Sequence, residues 1–151
     1  MPIAAKLMIA VTASWSQCPR VAISAGTTPL TISALTGATL VDLVQYPLTR
    51  ELCIAMMREA ETIANKLGVT FRVGIDRRIA GAEKVGAHRT SMLQDLEAGK
   101  PLELDALVGS VVELGRLTDT PTPHIDAVYA CTSLLAKTVA DQGARSVLAH
   151  A

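Results

Sequence analysis

Aromatic side chains are nearly missing from this sequence: one Phe, one Trp and two Tyr are spread over 151 positions. Sheets draw on aromatic and β-branched residues, so the scarcity argues against a sandwich or barrel. Half the chain is hydrophobic all the same. That mass is mostly Ala, Leu, Val, Ile and Met, which suits helix-on-helix packing, and the length suits one domain with a core of its own. Net charge is also lacking. Fourteen basic residues balance fourteen acidic ones, and no basic stripe interleaves with aromatics, so electrostatic capture of nucleic acid or of an anionic membrane has no footing. No apolar run is long enough to span a bilayer. The cysteines are few, odd in number and far apart: Cys18, Cys53 and Cys131. They form neither a disulfide framework nor a metal-ligand spacing and read as buried or half-buried thiols of a reducing compartment. The opening "MPIAAKLMIAVTASWS" echoes a secretory leader, but one charge and a minimal apolar run favour a cytoplasmic protein.

What is present is helical from residue 39 onward. Thr39 and Asp42 are spaced as a capping box before "LVDLVQY", and Pro47 suits the first position of the next helix. In "PLTRELCIAMMREAETIANKLG", Leu48, Leu52, Met56, Ile63 and Leu67 recur at or near helical spacing, with Cys53, Met57, Ala60 and Ala64 beside them. Gly68 is the natural stop. "VTFRV" looks like a strand locally but has no partner run, so it is expected as an extended connection. "IDRRIAGAEKVGA" is expected as a shorter helix weakened by Gly81 and Gly86.

Thr90 can cap "SMLQDLEA", which Gly99 and Pro101 end, and Leu104, Leu107, Val108 and Val111 then restart a helical stripe. "TDTPTPH" is a stiff linker. The final helix carries Ile125, Val128, Tyr129, Thr132, Leu135 and Val139 on one side, with a frayed tail from Gly143. Before residue 39 a helix is expected only around 30 to 36.

Catalytic signatures are absent. The sequence has no GxGxxG, no Walker loop, no GxSxG elbow and no HExxH. His88, His124 and His150 are read as loop or tail residues without partners. Ser91 and Glu103 remain as the polar groups of interest. Each has a bland explanation, as a helix-start hydroxyl and as a carboxylate at the positive end of a helix. The functional alternative is that two helix starts converge and present donors and a carboxylate to a polar ligand. Spacing alone leaves both open.

The run "TSMLQDLEAGKPLELDALVGSVVELGRLTDTPTP" closely resembles the signature of the C-terminal domain of ketopantoate reductases, the 2-dehydropantoate 2-reductases. The likeness continues upstream through "SALTGATLVDLVQYPLTRELCIAMMREAETIANKLGV" and covers roughly residues 32 to 140. It implies an all-α bundle of about six helices, like the 6-phosphogluconate-dehydrogenase-like C-terminal domain of that family. The domain is expected over residues 32–142, after a divergent segment 1–31 and before the tail 143–151. In the family such a domain supplies the substrate cleft and commonly the dimer contact. A Rossmann domain holds NADPH for reduction of a 2-keto acid to a 2-hydroxy acid on the route to coenzyme A.

By the same resemblance Ser91 matches the serine that binds the substrate carboxylate, and Glu103 the acidic residue that holds the substrate hydroxyl. Asp95 and Asp105 fall in the motif but look structural. The family's catalytic Lys and its two following Asn align with Ala22, Gly26 and Leu30, none of which can donate a proton. Lys6, followed by Ala10 and Ser14 in place of the Asn residues, could serve only if residues 15 to 29 loop out. No Rossmann sequence accompanies the domain. Two readings fit that: an excised C-terminal domain, or a divergent or frame-shifted start joined to a family-like remainder. The expected function is therefore the substrate-binding and dimerisation half of such an enzyme. It would act on a small 2-keto acid as a homodimer, need a Rossmann partner in trans, and bind no cofactor by itself. The alternatives are a non-catalytic helical oligomerisation module and, less directly, a small-ligand carrier.

Overall fold

Prolines, glycines and short polar residues divide the chain into helices, and a computed structural model describes the result for residues 27–143. Seven α-helices and one π-helical segment follow one another, with no strand among the described residues: α1 (Thr27–Thr36), α2 (Leu40–Gln45), α3 (Pro47–Lys66), α4 (Ile75–Val85), α5 (Ser91–Glu97), the π segment (Asp105–Gly109), α6 (Ser110–Leu117) and α7 (Pro123–Gln142). The all-α expectation holds.

Helix α1 is the axis of the bundle. It contacts α2, α3, α5, α7 and the π segment, and Thr31, Ile32, Ser33 and Ala34 are buried in succession. A helix buried nearly all round must be slim. Small side chains let neighbours close in, and the hydroxyls are satisfied at home: Ser33 Oγ donates to the Ala38 carbonyl at 2.7 Å and Thr36 Oγ1 to the Ile32 carbonyl at 2.8 Å.

Helix α3 buries Cys53, Met56, Met57, Ala60, Ile63 and Ala64, the narrow stripe that a helix packed on one side should bury. The sequence stripe was drawn too far toward the N-terminus. Leu48 is 66% exposed, because it lies in the first turn, before the helix reaches the core at Cys53. The thiol of Cys53 is pushed up to about 11 by burial, whereas Cys131 is exposed, against the expectation of half-burial at least. Cys18 lies outside the described residues.

The local stops work as their chemistry requires. Gly68 ends α3 with φ +75°, and Val69 N–H donates to the Ala64 carbonyl at 2.8 Å, closing a Schellman turn. Asp42 accepts from the Thr39 N–H at 3.1 Å at the start of α2. Residues 69–73 form the expected connection, with Phe71 packed on the core and stacked under Arg78, 4.3 Å from guanidinium to ring centre.

One histidine departs from expectation. His124 lies in the first turn of α7 and is partnered. Glu59 of α3 accepts from its backbone N–H (3.0 Å), from the Ile125 N–H (3.0 Å), and pairs with its ring Nδ1 (2.6 Å). The side chain of Thr122, the residue before that helix, makes no cap bond to it. The carboxylate of a distant helix does it instead, at the end where negative charge is favoured.

Candidate substrate-binding site

The segment from Arg89 to Ser110 presents the candidate residues. Thr90 is buried and its Oγ1 accepts from the Leu93 N–H at 3.3 Å, the cap that starts α5. Gln94 Nε2 reaches back to the Arg89 carbonyl at 2.7 Å, and Arg89 forms an ion pair with Glu97. Met92, Leu93 and Leu96 anchor the helix in the core. The turn that carries Ser91 is therefore held by its own neighbours, and Ser91 is exposed. Gly99, with φ +67°, ends the helix, and the Lys100 N–H closes it on the Asp95 carbonyl at 2.8 Å.

Glu103 is exposed just before the next helical turn. Its carbonyl accepts from the Leu107 N–H at 3.2 Å. The spacing of Leu104, Leu107, Val108 and Val111 predicts an unbroken α-helix here, but Asp105–Gly109 is a π turn: the Ser110 N–H reaches the Asp105 carbonyl, five residues back. The extra residue shifts the stripe. Leu104, Val108, Val111, Val112 and Gly115 are buried, while Leu107 is only partly so. Such π turns are rare and gather at functional sites.

Four polar residues of the motif, Ser91, Asp95, Glu103 and Asp105, sort into two kinds. Among the described residues Ser91, Asp95 and Glu103 have no side-chain hydrogen bond or ion pair, and Ser91 and Glu103 are exposed. Asp105 is engaged, since Tyr129 of α7 donates its hydroxyl to Asp105 Oδ1 at 2.6 Å. That bond holds the Tyr129 phenol above its ordinary value, with the Asp105 charge adding to the effect. Asp105 is thus tied to α7; Asp95 is half-buried and makes no side-chain bond.

A cleft of about 560 Å³ opens between the π segment, α6 and α7, with Asp105, Ser110, Glu113, Arg116, Leu117 and Tyr129 on its walls. Neither Ser91 nor Glu103 lines it. The two exposed, unpartnered motif residues are thus not brought together by this cleft. The residues that sequence reasoning missed are Tyr129 and Glu59, whose partners lie 24 and 65 residues away. The one faint signal was Gly109, the position that Tyr129 crowds.

Lys6, Ala22 and Gly26 lie outside the described residues. Leu30 is half-buried in α1, packed against the core. The described residues contain helices and connections but no strand followed by a glycine-rich turn. No group of His, Cys, Asp and Glu among them could hold a metal ion, and no helix among them is long and apolar enough to cross a membrane.

Comparison with known proteins places this geometry. Residues 15–136 match the family described as Ketopantoate reductase PanE/ApbA C terminal, a span that begins upstream of the resemblance quoted above. A 2-dehydropantoate 2-reductase of Mesorhizobium japonicum is 60% identical over 105 residues, which are 70% of this chain and 32% of that protein. A solved structure from Ralstonia solanacearum MolK2, classed with the ketopantoate reductases, is 38% identical with a TM-score of 0.71 over 77% of this chain and 35% of that one. The dimeric ketopantoate reductase of Staphylococcus aureus, 21% identical, shares the fold with a TM-score of 0.62 over 79% of this chain and 42% of that one. The chain spans about a third of the length of the first two relatives.

Proposed function

The chain belongs to the ketopantoate reductase C-terminal family, and from that premise we propose that it is the substrate-binding and dimerisation part of an NADPH-dependent 2-dehydropantoate 2-reductase. The observation that carries this reading is that Ser91 and Glu103, the two positions that match the family's substrate contacts, are both exposed and unpartnered. A hydroxyl free to donate and a carboxylate free to accept suit the two ends of a 2-keto acid that also bears a hydroxyl. Ser91 binds the substrate carboxylate; Glu103 accepts from the substrate hydroxyl and orders it. The cofactor, when present, supplies the hydride. What this chain contributes is orientation of the acid and one wall of the site. Substrate pockets favour domain interfaces, and two exposed side chains suit a wall that faces a second domain.

The test is a calorimetric titration of 2-dehydropantoate into the chain, alone and with NADPH and a separately produced nucleotide-binding domain. Binding that Glu103→Gln and Ser91→Ala each weaken supports the reading; no binding under either condition sinks it. A second reading, a self-associating helical module without chemistry, draws on Leu117 and Leu134, exposed at 56% and 66%. A strict monomer on sedimentation at high concentration would count against it, and against dimerisation in the first.

A further inference from the structure

The π segment is the least self-sufficient part of the site. Its hydrogen bonds are wider than α-helical ones, and such turns persist where the surroundings hold them. Here one side chain touches both ends of the segment. The hydroxyl of Tyr129 donates to Asp105, the first residue of the segment, at 2.6 Å. The same ring lies against Gly109, the last residue: a Cβ built there would sit 3.2 Å from the Tyr129 oxygen and 3.4 Å from Cε2. Tyr129 thus grips the π turn at both ends, and its own carbonyl is held by Ser133 Oγ at 2.7 Å.

Glu103 stands two residues before the segment, tied to it through the Leu107 N–H. If the π turn relaxed to α-helix, one residue would leave the bulge, and the chain before it would rotate by about 100° relative to α6. The carboxylate of Glu103 would turn with it. Resting on the reading that Glu103 orders the substrate, we propose that Tyr129 is a positioning residue for Glu103, acting through Asp105 and the π turn, and that its hydroxyl serves this role separately from the packing of its ring.

Three substitutions in the full 151-residue chain test it. Tyr129→Phe removes the hydroxyl and keeps the ring; Asp105→Ala removes the acceptor; Asp105→Asn keeps an oxygen that can accept. The first readout is the side-chain carboxyl 13C resonance of Glu103, which needs no ligand. It should move in Tyr129→Phe and Asp105→Ala and return in Asp105→Asn. The second is affinity for 2-dehydropantoate under the condition in which wild type binds, weakened about three- to tenfold in the first two variants and restored in the third. A Glu103 resonance unchanged in Tyr129→Phe overturns the proposal, as does a moved resonance with affinity unaltered. If wild type itself binds no 2-dehydropantoate, the substrate reading of Glu103 fails, and the resonance alone decides whether Tyr129 positions that side chain.

Discussion

Ser91 and Glu103 stand twelve positions apart in one motif, yet the chain holds them by opposite means. The Ser91 side is self-contained. Its cap, the Gln94–Arg89 bond and the Arg89–Glu97 pair all close within eight residues. The Glu103 side is held from outside, by Tyr129 lying 24 residues downstream of Asp105. A self-contained turn keeps its shape wherever its helix goes. A turn held from outside keeps its shape only while two helices stay in register, and so it can report on the state of the rest of the bundle.

Four experiments would break or sharpen that contrast. Each side has a leucine seated in the core, Leu93 at 0% and Leu104 at 4% exposure. Replacing either with Ala should cost about 2–5 kcal/mol in chemical denaturation; a much smaller loss for Leu104 would mean that the outside hold alone secures its side. Thr90→Ala deletes the local cap and should cost about 1 kcal/mol. It should leave the titration of Tyr129 untouched, since nothing in that cap reaches α7.

Gly109→Ala gains helix propensity but crowds the Tyr129 oxygen at 3.2 Å, so its net effect should lie within about 1 kcal/mol of zero. In a Tyr129→Phe background the crowding oxygen is gone, and the same change should stabilise by roughly 0.5–1 kcal/mol. A double-mutant cycle by thermal unfolding reads the difference, and strict additivity would separate Gly109 from Tyr129. The smallest effect is spectroscopic. In a Tyr46→Phe variant, ultraviolet titration should show the Tyr129 phenol ionising above the ordinary tyrosine value, and Asp105→Ala should bring it down. Because the folded value is the higher one, the stability linked to it is complete below the ordinary phenol value and is lost as pH rises through the folded one.

The same contrast explains what could be read from the sequence. Thr90, Gly99, Pro47, Gly68 and the Thr39–Asp42 pair act on residues within a turn of themselves, so their chemistry is visible in a short window, and each does what its spacing predicts. The family motif likewise singles out Ser91 and Glu103, and both are exposed. The π turn is invisible because the Leu104–Val111 spacing fits a regular helix equally well, and its bond to Tyr129 of α7 spans 24 residues. Leu48 misled because periodicity tells which face of a helix is apolar and not where along its length the core begins. In the sequence Glu59 is one more charge beside Arg58 and Glu61. Nothing in its neighbours announces that the first turn of α7 will arrive above it.

That arrival has a consequence in time. The start of α7 is completed by a carboxylate 65 residues away, and bringing those positions together requires closing most of the helical chain on itself, at an entropic cost that a local cap avoids. The contact therefore belongs to the late side of the folding barrier. Interactions of that kind leave the rate of folding nearly alone and set how long the folded molecule lasts before it opens.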